Sequence, residues 1–263
     1  MFGAIIGDVI GSVYEWVRTK RTDFKLFCPK TDFTDDTVLT VATADALMHD
    51  GDYGMAYKKY ALDHSGRGFG GMFYQWMKSA QLEPPYNSFG NGSAMRVSPI
   101  GWAFNDLQET LAEAKKSAEC THNHPEGIKG AQATVAAMFL ARTKRSKADI
   151  QEYITVKFGY DLSRTVDEIR PTYSFNETCQ QTVPQAIRAF IDSTDYENAI
   201  RLAISLGGDS DTLACITGGI AEAFYKDIPE EMCATVIKLL PDDFVQVMQV
   251  FYDKYGIGLE LSA

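Results

Sequence analysis

Apolar positions in this chain recur at intervals of three and four almost from end to end, the period of helices with one buried face. They predict helices over residues 2–17, 38–48, 54–64, 71–81, 92–104, 107–119, 126–143, 147–158, 182–192, 195–206, 211–225, 230–239 and 242–253. Alternation of the strand type is confined to Phe24 to Phe27, and is weak there. Pro125, Pro184 and Pro229 fall near predicted helix starts, where a missing amide proton costs little. An all-α fold follows. No Pro/Ser-rich linker divides the pattern and no repeat period marks a solenoid, so one compact multi-helix domain over 1–263 is expected.

Two of the predicted helices begin on unusual letters. Thr34-Asp35-Asp36-Thr37 leads into one, and Gly207-Gly208-Asp209-Ser210-Asp211-Thr212 leads into another. Taken alone, each reads as a helix cap, because Asp, Ser and Thr accept amide protons there and suit the positive end of the dipole. Together they read as two halves of one cage. Their oxygens are hard donors, the type that suits magnesium, manganese or calcium rather than zinc. Adjacent helical residues point about 100° apart, so Asp35 and Asp36 reach different partners, which favours two ions side by side over one. On the first helix Gly3, Gly7 and Gly11 form a smooth stripe against which a neighbouring helix can pack closely. Asp8 and Glu15, seven apart, share a face of that helix. Either they meet solvent, or Glu15 turns toward the same cations as Asp35 and Asp36.

Composition narrows the function classes. The chain is 45% hydrophobic and 12% aromatic, enough for an ample core. A formal charge of -10 and a pI near 4.9 argue against a non-specific grip on nucleic-acid phosphates. No run of about 18 apolar residues exists, so no membrane span is expected. Residues 1–17 carry Asp8 and Glu15 and lack a basic leader, which rejects a signal peptide. The five cysteines are odd in number, scattered and without zinc spacing, as expected of reduced thiols in a cytoplasmic compartment.

Three loops carry further chemistry. The glycine-rich run 65–71 ends at a predicted helix start, so its amides are able to cradle a phosphate; a flexible connector explains the same letters. Ser88-Phe89-Gly90-Asn91-Gly92-Ser93-Ala94-Met95-Arg96 sets two glycines around Asn91 and sends one Arg into a helix, which suits either a nucleotide-like ligand or a turn with a capped helix. His122 and His124 lie two apart in a loop with no cysteine nearby, which favours hydrogen bonding over metal ligation.

In their order, Thr34-Asp35-Asp36-Thr37, the stretch from Phe89 to Arg96, Thr121-His122 and Gly207 to Thr212 resemble the signatures of the ADP-ribosylglycohydrolase family, as do Gly7-Asp8-Val9-Ile10-Gly11 with Glu15 and Val183-Pro184-Gln185-Ala186. The resemblance runs from residue 3 to about 230. It implies an all-helical domain with two Mg²⁺ or Mn²⁺ ions and hydrolysis of the glycosidic bond joining ADP-ribose to a modified group. It also implies that Thr34, Asp35, Asp36, Asp209, Asp211 and Thr212 are metal ligands, and that Gly68, Gly70, Ser88, Phe89, Gly90, Asn91 and His122 contact ADP-ribose. A carboxylate among Glu15, Asp35 and Asp36 would then take the proton of the attacking water. The expected partner is an ADP-ribosylated protein or a small ADP-ribose conjugate, with nucleic acid disfavoured. The alternatives are a non-catalytic ADP-ribose-binding module and a helical protein whose acidic turns are only caps.

Overall fold

The glycine stripe finds its partner at the other end of the chain. The computed structural model describes residues 1–49 and 51–258; position 50 and positions 259–263 of the expected domain lie outside the described residues. Among the described residues the elements are α1 (Phe2–Trp16), α2 (Asp35–Met48), α3 (Tyr53–Asp63), α4 (Gly71–Lys78), α5 (Gly92–Met95), α6 (Ile100–Ala103), α7 (Leu107–Glu119), α8 (Pro125–Arg142), α9 (Lys147–Phe158), α10 (Val166–Ile169), α11 (Cys179–Asp192), α12 (Tyr196–Ile204), α13 (Ser210–Tyr225), α14 (Glu230–Ile237) and α15 (Asp242–Tyr255).

α1 lies along α13, the most deeply buried helix. A Cβ on Gly7 would stand 2.1 Å from the Ala214 carbonyl oxygen, and one on Gly11 2.5 Å from the Asp211 Cα. Only glycine permits this approach. α2, α8, α11 and α12 close around the pair, and their inward residues form one continuous core. Because α13 is walled in on all sides, its first turn sits inside the molecule.

Local chemistry accounts for most helix ends. Ser146 and Asp149 form a reciprocal capping box on α9, and Gly159 closes that helix in the left-handed conformation. Pro125 occupies the first position of α8. Three expectations change. The helix predicted over 92–104 is two short ones, α5 and α6, because Pro99 lacks the amide proton a continuous helix needs and disfavours helical geometry at Ser98. Pro184 lies within α11 and not near its start, since the helix begins at Cys179. That start is pinned by pairing with the 88–92 loop: Asn91 N donates to Glu177 O at 2.7 Å and Cys179 N to Phe89 O at 3.0 Å. The run from Phe24 to Phe27 is loop, with the Phe24 ring packed 4.6 Å from that of Tyr14. Among the described residues, no helix is long and apolar enough to cross a membrane.

Candidate functional site

The two acidic turns meet. Carboxylate oxygens of Asp8, Asp36 and Asp211 lie within 4.8 Å of one another, and all three residues are buried. α1 delivers Asp8, the first turn of α2 delivers Asp36 and the first turn of α13 delivers Asp211. Asp8 also clamps the α2 turn. Its Oδ1 accepts the Thr34 hydroxyl at 2.6 Å, and its Oδ2 accepts the amides of Thr34 and Thr37 at 3.0 and 3.1 Å together with the Thr37 hydroxyl. Thr34 Oγ1 accepts the Asp36 amide at 3.3 Å, and the Thr212 hydroxyl donates to Asp36 Oδ2 at 3.3 Å. Asp209 is held from a loop, by Asn91 Nδ2 at 2.7 Å. Asp35 lies toward the glycine-rich loop, with Oδ1 3.5 Å from where a Gly68 Cβ would be.

So many acids in one dry place cannot all be ionised without a counter-charge. Burial, then the Asp211 charge, raises Asp8 to about 7. The same two causes hold Asp35, Asp36 and Asp209 well above the carboxylate range, and burial raises Asp211. Glu15, half-buried, is raised to about 7 by burial and by Asp211, Glu177 and Asp8. Asp36 Oδ1 and Asp211 Oδ1 are buried and accept no hydrogen bond. Orphaned hard oxygens on two members of one acid cluster fit a divalent cation.

A cleft of about 1030 Å³ opens above this floor. Glu15, Thr34, Asp35, Asp36, Asp209, Asp211 and Thr212 border it, as do Gly68, Gly70, Ser88, Gly90, Asn91 and His122. Phe89 does not: its ring is 44% exposed and packs edge-on to His124. Gly68 takes a φ of +97°, and Gly66, Gly70 and Gly71 have open space where a side chain would begin. Arg67 ties this loop to the α2 turn: its carbonyl accepts the Asp35 amide at 2.8 Å, and its guanidinium pairs with Asp32 at 2.5 Å and lies 3.6 Å over the Phe33 ring. His122 is buried, with Nδ1 2.8 Å from Thr121 Oγ1; burial and Arg96 push it well below the usual histidine range. His124 caps α8, Nδ1 accepting the Glu126 amide at 3.1 Å.

Sequence reasoning left Asp8 open and overlooked Glu177, Trp16 and Tyr86, which also border the cleft. The signal for Asp8 was an acid within the apolar half of α1, beside the glycine stripe. Glu177 lies in a stretch with no helical period and offered none.

The model of the family described as ADP-ribosylglycohydrolase matches residues 1–255. The chain is 23% identical to the ADP-ribosylhydrolase ARH3 of Danio rerio, covering 86% of this chain and 81% of that protein. It is 26% identical to ARH3 of Homo sapiens, covering 87% and 85%. It is also 23% identical to the ADP-ribosylarginine hydrolase Tri1 of Pseudomonas putida, covering 86% and 69%. A solved chain described as an ADP-ribosylglycohydrolase-related protein complex superposes with a TM-score of 0.74 at 21% identity, covering 98% of this chain and 96% of that one, which is a likeness of fold.

Proposed function

Because this chain belongs to the ADP-ribosylglycohydrolase family, we propose that it hydrolyses the glycosidic bond between ADP-ribose and a carrier, most readily a protein side chain, with Mg²⁺ or Mn²⁺ as cofactor. The observation that carries this reading is the meeting of Asp8, Asp36 and Asp211, of which Asp36 and Asp211 each carry an orphaned oxygen and border a cleft roomy enough for a nucleotide sugar. The names of the relatives, hydrolases of ADP-ribosyl groups, support the substrate class.

Thr34, Asp35, Asp36, Asp209, Asp211 and Thr212 would hold two ions, and Asp8 joins them as an acid of the same cluster and as the clamp on Thr34. When bound, divalent ions neutralise the acids and lower the pKa of water beside them. The residues of the chain do the rest. The 65–71 loop, with open space beside Gly66, Gly70 and Gly71, suits the pyrophosphate. Glu15, at the edge of the cleft and pushed up first of all by its own burial, would serve as the base. The oxygen of a water bonds to the anomeric carbon and its proton passes to Glu15. The electron pair of the glycosidic bond leaves with the carrier atom, which takes up a proton.

The test is release of free ADP-ribose from a panel of ADP-ribosylated substrates, with magnesium or with chelator. Loss of release on chelation and in Asp36→Ala is expected, and turnover that survives both overturns the reading. Binding of ADP-ribose with no turnover on any carrier would point to a binding module instead.

A further inference from the structure

Arg96 is fully buried and has no carboxylate partner among the described residues. Its guanidinium lies 4.0 Å over the Tyr57 ring, and Nη2 donates to Ser117 O and to Thr121 Oγ1, both at 2.8 Å. Guanidinium has no acceptor, so at that contact the threonine oxygen accepts. The same oxygen is 2.8 Å from His122 Nδ1. Tyr86, held protonated by burial, stands against the same threonine, and its hydroxyl can give or take a proton there. The threonine proton then has two acceptors within reach, the phenol oxygen and the imidazole Nδ1. A guanidinium on this side also favours an imidazole whose lone pair, not its N–H, faces it. On the far side of the ring, Nε2 has no hydrogen-bond partner among the described residues. It lies 3.2 Å from where a Gly92 Cβ would stand and 3.5 Å from that of Gly90, two glycines that border the cleft.

We propose that Arg96 is a positioning residue: by donating to Thr121 it turns the threonine proton onto His122 Nδ1, which places the ring proton on Nε2 as a donor to an acceptor oxygen of the cleft ligand. The arrangement makes His122 a fixed donor, not a proton carrier, and gives the buried cation a task that the fold alone does not require. The identity of the ligand rests on the proposed function; the tautomer does not.

The experiment is long-range ¹H–¹⁵N correlation of imidazole-labelled protein without ligand, the His122 signals assigned by their loss in His122→Gln. The expected result is a single Nε2–H tautomer at neutral pH. Thr121→Val, which removes the donor at equal size, is expected to mix the tautomers and to weaken ADP-ribose binding about 10-fold, while Thr121→Ser restores both. An Nδ1–H tautomer in the unaltered protein, or a Val variant matching the Ser variant in tautomer and affinity, overturns the proposal. The Nε2–H tautomer with no ADP-ribose binding leaves the proposal standing and removes the substrate assignment instead.

Discussion

The two acidic turns open helices of similar kind and are held in opposite ways. At α2 the cap is complete: Thr34 takes the Asp36 amide, and Asp8 takes the amides and hydroxyls of Thr34 and Thr37. At α13 the N-cap residue is Asp209, yet its side chain takes no amide of the helix and turns instead to Asn91. The same letters that explain one helix start by capping leave the other unexplained. An acid that sits at a cap position without capping, buried beside four others, is there for another partner. The contrast lies in who does the holding: Asp8 and the threonines fix the α2 turn from within, while on the α13 turn Asp209 is held from outside the helix by Asn91 and Asp211 leaves Oδ1 unpaired.

The sharpest way to break this contrast is at the floor. Asp36→Asn and Asp211→Asn are each expected to lower ADP-ribose release by about 10³-fold or more, with the melting temperature of the metal-free protein unchanged or raised because a buried acid is replaced by a group that needs no proton to stay neutral. Retention of activity within ten-fold by either variant would mean that the turns do not act as one site. Asp8→Asn comes next. An amide presents a donor where two amides and two hydroxyls already donate, so urea unfolding is expected to show a loss of about 3 kcal/mol alongside the loss of activity. Activity lost with stability intact would move Asp8 from clamp to ligand alone.

The acids also set a pH dependence. Asp8 is near 7 when folded and near 3.8 when unfolded, so the folded chain binds the extra proton between those values. Stability of the metal-free protein is therefore highest at the acidic end of that window and falls by roughly 2–4 kcal/mol as pH rises from about 4 to about 7. Saturating Mg²⁺ is expected to flatten the curve; parallel curves with and without the ion would argue against binding at these acids. The smallest effects distinguish the turns themselves. Thr34→Val, at a working cap, should cost about 1 kcal/mol in chemical denaturation. Asn91→Ala, beside a non-capping acid, should leave stability within about 1 kcal/mol and raise KM in the hydrolysis assay.

Much of this is legible in the chain because its physics is local. The stripe of Gly3, Gly7 and Gly11 announces a close helix contact by spacing alone, and the acid turns announce themselves by composition. What spacing does not carry is the partner across the fold. Asp8 meets a turn 26 to 29 residues away, and nothing near it in sequence says so. α10 is four residues long, too short for a period to show, and the split at Pro99 is set by one ring within a run that otherwise reads as helix. Phe89 is a ligand contact on its motif alone; what the motif does not carry is that its loop pairs with the start of α11 and its ring packs edge-on to His124.

Where α1 crosses α13 at Gly7 and Gly11, main chain rests on main chain, and no rotamer is available to take up slack. The spacing of the backbones that carry Asp8 and Asp211 is thus set by main-chain contact more than by side-chain packing, a gauge on which repacking the interior has little purchase. Any adjustment of the site to ions of different radius would fall to Asp35, Asp209 and Glu15, which hang from loops and helix ends. Selectivity would be tuned at the rim, while the floor stays fixed.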